Sequence, residues 1–132
     1  CGLSDVIEFT GRLPYEQAIQ RVATADIGFA LLHKRSNFVK SLPTKLFEYM
    51  MCEIPVIVSD VKLWEDIIER VNCGLAVPPK DIDRATNATE TLIQNEALRV
   101  RLGENGRKAV ETTYRWEKEA TKLLSVYDSL AN

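Results

Sequence analysis

The chain has 132 residues, enough for one domain with a hydrophobic core. Hydrophobic residues make up 45% of it and charged residues 27%, which is typical of a globular protein and excludes a disordered one. The net charge of -2 excludes a general basic excess for binding nucleic-acid phosphates, and no apolar run approaches the roughly 20 residues of a membrane-spanning helix.

Apolar runs alternate with helix-like patterns along the first part of the chain. Residues 6–10 are typical of a strand and end at Gly11, a turn residue. Pro14 begins a helical pattern, because proline is tolerated in the first turn of a helix. Residues 27–32 are almost wholly apolar, which predicts a strand buried on both faces.

The alternation continues through the middle of the chain. Pro78 and Pro79 close its last apolar run. We predict a polar loop at residues 33–41, a helix at 43–52, a strand at 55–58, a helix at 64–71 and a strand at 74–77.

The remainder of the chain has a helical pattern. Asp81 or Asp83 is expected to cap the first of its helices. Gly103 and Gly106 predict a weak interruption, and the last helix is predicted at about residues 116–130.

Strands that alternate with helices predict an α/β fold with a mainly parallel sheet and helices on both faces. In such sheets ligands bind beyond the carboxyl ends of the strands. That rule selects four candidate places, which are residues 11–13, 33–45, 59–61 and 78–80.

The second of these places, residues 33–45, is a basic loop that leads into a helix. It contains no acidic residue. A helix N-terminus favours an anion through its free N–H groups and its dipole, so a phosphate ligand is one reading, and a solvated basic surface is the other. The cations of this loop are His33, Lys34, Arg35, Lys40 and Lys45.

The helix that follows the loop is amphipathic. Glu48 lies three residues after Lys45, on the face opposite the apolar one, so an exposed ion pair worth roughly 0.2–0.5 kcal/mol explains it without any ligand. The alternative is that the carboxylate accepts two hydrogen bonds from a vicinal diol such as ribose. The predicted sheet-packing face consists of Leu46, Phe47, Met50 and Met51, and the opposite face of Lys45, Glu48, Tyr49 and Cys52.

Three other residue types are candidates for functional groups, namely an aspartate, the tryptophans and the cysteines. Asp60 follows a buried strand, as the phospho-acceptor of a receiver domain does, although no acidic pair follows the first strand. Trp64 and Trp116 are expected to be packing residues. Cys52 and Cys73 are expected to be inert, because no neighbouring base is evident.

The order of several short motifs resembles a known family. FTGRLP at residues 9–14, ADIG at 25–28, PTKLFEYM at 43–50 and PVIVSD at 55–60 are similar to the C-terminal half of family 4 (group 1) retaining glycosyltransferases of the GT-B fold. The likeness covers nearly the whole chain. It implies a Rossmann-like α/β domain with a helical C-terminal tail that binds a nucleotide-sugar donor, while an N-terminal domain binds the acceptor.

The resemblance assigns roles to individual residues. Glu48 matches the glutamate that binds the donor ribose hydroxyls. The helix start and the loop before it match the segment whose backbone amides face the donor diphosphate, and the end of the first predicted strand matches the part beside the nucleobase. The donor-binding residues implied in this way are Glu48, Lys45, Thr44, Pro43, Leu46, Gly11, Arg12 and Leu13.

Two departures from the family pattern bear on this assignment. Lys40 occupies the position of the family's first glutamate, which contacts the donor sugar, so no catalytic residue is assigned. The family's helix ends in a small residue and glycine, where this chain has Cys52 and Glu53. Because a glutamate in a left-handed cap costs on the order of 1 kcal/mol, a different turn is expected here.

The resemblance implies an enzyme of polysaccharide biosynthesis that transfers a sugar from a nucleotide-diphosphate donor to a glycan or lipid-linked acceptor. The chain begins without methionine, so residues 1–132 are expected to be one partial domain that lacks the acceptor domain and its own first strand and helix, and to be inactive alone. Neither a metal nor another cofactor is expected.

The three cysteines, Cys1, Cys52 and Cys73, are too few and too scattered for a disulfide framework, which favours the cytoplasm. Contact with the inner face of a membrane is a further expectation for the full-length protein. Two alternatives stay open: a GT-B-like nucleotide-sugar epimerase or hydrolase, and a non-catalytic module, either receiver-like or a degenerate glycosyltransferase.

Overall fold

A computed structural model of the protein describes residues 3, 5–33 and 37–130. Helices alternate with strands up to residue 77, and the elements described between residues 78 and 130 are helices. The described elements are α1 (Tyr15–Val22), β1 (Gly28–Ala30), α2 (Thr44–Met51), β2 (Val56–Ser59), α3 (Lys62–Val71), β3 (Gly74–Val77), α4 (Ile82–Gln94), α5 (Glu96–Thr112) and α6 (Trp116–Leu130).

The three strands form one parallel sheet in the order β1-β2-β3. Gly28 pairs with Val56, and Val56 pairs with Gly74. Because α2 and α3 connect successive parallel strands, the carboxyl ends of all three strands lie at the same edge of the sheet. The predicted parallel α/β sheet is confirmed.

The core lies on both faces of the central strand β2, all of whose residues are buried. Successive side chains of a strand point to opposite faces, so Val56 and Val58 join one cluster with residues of α2 and α3. Ile57 joins the other cluster, where it meets Leu92 of α4 and Leu102 of α5. The prediction of helices on both faces is therefore confirmed.

The strand predicted at residues 6–10 is wrong. Val6 is 77% exposed and Phe9 is 92% exposed, and no described strand pairs with this segment. An exposed pair between Glu8 and Arg21, at 2.8 Å, connects it to α1. Without a neighbouring strand the apolar side chains have no surface to cover, which is why the local pattern does not produce a strand. The strand predicted at 27–32 is also shorter, at Gly28–Ala30.

The predicted interruption at Gly103 and Gly106 is also wrong, because α5 continues through both residues. A Cβ atom at Gly103 would clash with the backbone carbonyl of Glu53, and one at Gly106 would lie 3.2 Å from Cγ of Met50. The glycines thus allow α5 to approach α2 closely. The helix break falls at Asn95, whose side chain accepts a hydrogen bond from the amide of Leu98.

The turn from α2 to β2 keeps the left-handed conformation despite its glutamate, so the expected different turn is wrong. Glu53 has φ 60°. Its amide donates to the carbonyl of Met50 at 3.2 Å, and the amide of Ile54 donates to that of Tyr49 at 3.0 Å. This is the Schellman pattern. The guanidinium of Arg107 also donates to the carbonyl of Met51 at 2.6 Å, so α5 holds the turn in place.

The last helix, α6, contrasts with the rest of the chain because none of its residues is buried. Trp116 is 72% exposed, so its predicted packing role is wrong, whereas Trp64 is 1% exposed and its packing role is confirmed. None of the described helices combines the length and the hydropathy that crossing a bilayer requires. The exposed apolar residues of α6 are Trp116, Leu123, Leu124, Val126, Tyr127 and Leu130.

Candidate functional site

The carboxyl edge of the sheet carries the start of α2. Pro43 precedes the helix in an extended conformation, with ψ 125°, and no side chain caps the helix. The amide of Leu46 donates to the carbonyl of Pro43 at 3.0 Å. The N–H groups of Thr44 and Lys45 belong to the first turn, where a helix supplies no partner of its own. They are the donors that this helix start offers to an anion.

The side chains of α2 divide as the periodicity predicts, with two exceptions. Tyr49 was predicted on the face opposite the apolar one, but it is half-buried and packs against the core beside β1. Leu46 and Met50 are fully buried against the sheet. Met51 was predicted on the same face but is 37% exposed, because it lies at the last position of the helix, next to the turn. Thr44 and Lys45 are exposed and Glu48 is half-buried.

No ion pair joins Lys45 to Glu48 among the ion pairs of the described residues, although both side chains lie on the same side of α2. The ion-pair explanation of Glu48 therefore lacks its main contact. The pKa of Tyr49 is raised, mainly by burial and secondly by the negative charge of the Glu48 carboxylate. The side of α2 that carries Glu48 thus combines a carboxylate with an exposed cation.

Tyr49 fixes α2 to the edge strand of the sheet. Its hydroxyl donates to the carbonyl of Phe29 at 3.3 Å. A Cβ atom at Gly28 would lie 2.5 Å from Cγ of the Tyr49 ring, so only glycine fits beneath it. The sequence analysis missed this role of Gly28. Its signal was a glycine inside an otherwise apolar strand, which often marks a close approach.

A cleft runs along the exposed edge of β1, and of residues 11–13 only Leu13 lines it. Gly11 has φ 63° and is exposed, as is Arg12, and Leu13 is half-buried. The cleft has a volume of about 810 Å³, and Leu13 lines it together with Phe29 and Tyr49. Glu48 and Lys45 stand outside its lining. The structure thus places Leu13 and Tyr49, the neighbour of Glu48 in the sequence, around the same cleft. It does not bring all the predicted donor-binding residues into one pocket.

Lys40 lies in a turn just before α2. It is exposed, as is Ser41, whose hydroxyl donates to the carbonyl of Asn37 at 3.0 Å. His33 is exposed at the other end of the loop. Lys34 and Arg35 lie outside the described residues, so the basic loop is described only at its two ends.

The two remaining places at the edge hold smaller features. Asp60 is half-buried, and its amide donates to the carbonyl of Val77 at 2.9 Å. Pro79 lines a shallow cavity of about 310 Å³ with Leu31 and Ile82. The predicted cap Asp81 is confirmed, because its carboxylate accepts from the amide of Arg84 at 3.0 Å.

The thiols that the structure describes are both free. Burial raises the pKa of Cys73 to about 11. Burial is also the main cause of the raised pKa of Cys52, which is half-buried. Both thiols stay protonated near neutral pH, and the expectation that they are inert agrees with this. Cys1 lies outside the described residues.

Known proteins similar to this chain are glycosyltransferases. The family profile described as Glycosyl transferases group 1 matches residues 1–109. A GDP-mannose-dependent alpha-(1-6)-phosphatidylinositol monomannoside mannosyltransferase of Mycobacterium tuberculosis is 27% identical over 126 residues, which are 93% of this chain and 32% of that protein. The lipopolysaccharide core biosynthesis mannosyltransferase LpcC of Rhizobium leguminosarum bv. viciae is 31% identical over 129 residues, 98% of this chain and 35% of that protein.

A solved structure shows the same likeness in three dimensions. The sucrose-phosphate synthase of Thermosynechococcus elongatus superposes with a TM-score of 0.86 at 26% sequence identity. The match covers 97% of this chain and 31% of that one. The chain therefore spans about a third of the length of the proteins it matches.

Proposed function

Because the chain belongs to the group 1 glycosyl transferases, we propose that it is the part of such an enzyme that binds the nucleotide-sugar donor. Its fold is the Rossmann-like half of a GT-B glycosyltransferase. One observation carries the proposal: the start of α2 lies at the carboxyl edge of the parallel sheet, without a side-chain cap, beside the exposed Lys45 and the Glu48 carboxylate, which forms no ion pair within the described part of the chain. Such edges are where α/β sheets bind their ligands.

The residues of this edge suit a nucleoside diphosphate. We assign the first-turn amides of Thr44 and Lys45 to the diphosphate, because free N–H groups and the helix dipole both favour an anion. The ammonium of Lys45 adds a positive charge where the leaving diphosphate gains negative charge during transfer. We assign the Glu48 carboxylate to the ribose hydroxyls, which it can bind through two hydrogen bonds.

The base and the sugar have less defined positions. We assign the base to the residues around Gly11, Arg12 and Leu13, of which Leu13 lines the cleft together with Tyr49. Lys40 replaces the carboxylate by which the family contacts the sugar, so we propose that the sugar is held differently here. Two relatives are named mannosyltransferases, and one of them GDP-mannose-dependent, which makes GDP-mannose the first donor to test.

The partner of this chain is proposed to be an acceptor-binding half of the same full-length protein. The chain spans about a third of its relatives, and none of the residues of α6 is buried, so its apolar face stays exposed. That face is the surface on which we expect the other half to pack. Transfer to a glycan or lipid-linked acceptor then needs both halves, and the chain alone is expected to be inactive.

We propose that the full-length protein is cytoplasmic and acts at the inner face of a membrane. The M. tuberculosis relative is named for a phosphatidylinositol mannoside, which is a lipid acceptor. A soluble donor and a lipid acceptor meet at a membrane surface. The residues proposed for the donor include no metal ligand set, so no metal enters this proposal.

Titration of the chain with GDP, UDP and ADP, followed by amide chemical shifts, tests the proposal. We expect one of them to shift the amides of Gly11 and Lys45. Lys45→Ala and Glu48→Gln should each weaken that nucleotide by about tenfold, the loss of one charge-assisted hydrogen bond. Lys108→Ala and Glu104→Gln remove the same groups from exposed positions of α5 and should bind as the wild type does.

Absence of binding by all three nucleotides would contradict the proposal. Binding by the chain, together with no sugar transfer by the full-length protein, would instead favour a degenerate glycosyltransferase. The replacement of the first glutamate by Lys40 is the observation behind that second candidate.

A further inference from the structure

The segment 37–43 carries Lys40 and leads directly into α2, so its position decides where the first turn of α2 lies. The loop that contains it starts at Leu32, after β1, and ends near Ser41. Such a connection keeps a fixed position only where its backbone groups are bound. Two side chains of the next part of the chain, Ser59 and Trp64, supply these bonds at the two ends of the loop.

Ser59 holds the start of the loop. Its side chain is fully buried at the end of β2. The Ser59 hydroxyl accepts a hydrogen bond from the amide of Leu32 at 2.7 Å and donates to the carbonyl of the same residue at 2.8 Å. One hydroxyl thus satisfies both backbone groups of Leu32, just beyond the point where β1 stops pairing with β2.

Trp64 holds the end of the loop. Its ring is 1% exposed in the first turn of α3, and its indole N–H donates to the carbonyl of Ser41 at 2.7 Å. Ser41 stands next to Lys40 and two residues before Pro43. The indole therefore fixes the backbone at the entrance to α2, in addition to filling the core.

We infer that Ser59 and Trp64 are positioning residues for the anion site at the start of α2, although neither belongs to the residues that we assign to the donor. Ser59 at the end of β2 and Trp64 in the first turn of α3 lie five positions apart in the sequence, and together they hold both ends of the loop to the edge of the sheet. This inference rests on the proposed donor-binding function. The site binds a diphosphate well because its first-turn amides are held in place before the ligand arrives.

Two variants of the chain test the inference with the nucleoside diphosphate that the wild type binds best among GDP, UDP and ADP. Ser59→Ala removes both hydrogen bonds to Leu32, and Trp64→Phe keeps a buried ring but removes the indole donor. Each should raise the dissociation constant by about fivefold or more, the effect of one lost hydrogen bond. Ser129→Ala and Trp116→Phe make the same chemical changes on α6 and should not alter the dissociation constant.

A purely structural role would lower the melting temperature but leave the affinity of the folded protein unchanged. The measurement is therefore made well below the melting temperature of each variant, with folding checked by circular dichroism. Ser59→Thr, which keeps the hydroxyl, should recover most of the affinity lost in Ser59→Ala. If Ser59→Ala does not fold, Trp64→Phe still decides the question.

The outcomes separate the two proposals. If the wild type binds and both variants bind equally tightly, the positioning role is wrong and the donor-binding proposal stands. If the wild type binds none of the three nucleotides, donor binding is wrong and the positioning role falls with it. Weakened binding in Ser59→Ala and Trp64→Phe, with unchanged control variants, supports both.

Discussion

The helices α5 and α6 follow one another in the chain, but α5 packs into the core and α6 does not. α5 buries Leu102, Gly103 and Gly106 and packs against α2, whereas α6 buries nothing. Yet the apolar residues of α6 form a well-defined stripe, and α5 carries two glycines that favour a break. An apolar stripe therefore shows that a helix has a face to bury, and not that the partner lies in the same chain.

The largest expected difference between the two helices concerns one leucine from each. Leu102 of α5 is 2% exposed and contacts the buried residues beneath the sheet, so Leu102→Ala should lower the free energy of unfolding by about 3–4 kcal/mol. Leu123 of α6 is 50% exposed, so Leu123→Ala should change the free energy of unfolding by less than about 0.5 kcal/mol. Urea denaturation of both variants measures this, and equal losses would mean that α6 is packed in solution.

The close approach of α5 to the α2–β2 turn is the second point of contrast. Gly103→Ala places a methyl group against the carbonyl of Glu53, a backbone atom that cannot give way cheaply. We expect a loss of about 3 kcal/mol, at the upper end of overpacking costs. Gly106→Ala is the matched control, because its Cβ would lie 3.2 Å from Cγ of Met50 and 3.3 Å from Cα, a far milder contact that should cost about 1 kcal/mol or less. A gain in stability from Gly103→Ala, as helix propensity alone favours, would contradict the packing.

The buried centre of the molecule contains a thiol, Cys73, whose ionisation is coupled to folding. Burial raises the pKa of Cys73 from its ordinary value of 9.0 to about 11, so the folded state holds this proton more tightly than the unfolded state. The resulting stability is fully present below pH 9 and is lost as the pH rises toward 11. The loss should amount to about 2–3 kcal/mol, since one pKa unit corresponds to about 1.4 kcal/mol.

The check is the free energy of unfolding of the wild type and of Cys73→Ala between pH 8 and pH 11. Cys73→Ala leaves a small cavity, which lowers stability by a similar amount at every pH. It should not show the additional loss of stability at alkaline pH that the ionisation of Cys73 causes in the wild type. Parallel curves for the two proteins would show that this thiol does not cause the decline.

The sequence predicted the parts of the fold whose causes are local. The buried runs at β2 and β3 and the helix α2 have strong periodicity and clear breaks, and all three were found within about two residues. The resemblance of the motifs to a family, and not periodicity, assigned Glu48 to a ligand, and that assignment stays a prediction.

Other features depend on contacts that no local pattern records. Residues 6–10 have strand propensity but no strand to pair with among the described residues. Gly103 lowers helix propensity, yet it serves a helix because a carbonyl lies against it. Ser59 looked like the end of a strand, and only the structure shows that its hydroxyl holds Leu32.

The smallest prediction concerns the turn that α5 holds, at Glu53. A non-glycine residue at φ 60° costs about 1 kcal/mol, and the contacts from Gly103 and Arg107 offset that cost. Glu53→Gly should therefore raise the free energy of unfolding by about 0.5–1 kcal/mol, after allowing for the greater freedom of glycine in the unfolded chain. Asn72→Gly, at φ 54°, is the control and should gain less, because asparagine tolerates this conformation better than glutamate does. If Glu53→Gly instead lowers stability, the glutamate side chain itself stabilises the turn, and its attraction to Arg107 is the contact to examine by a double-mutant cycle.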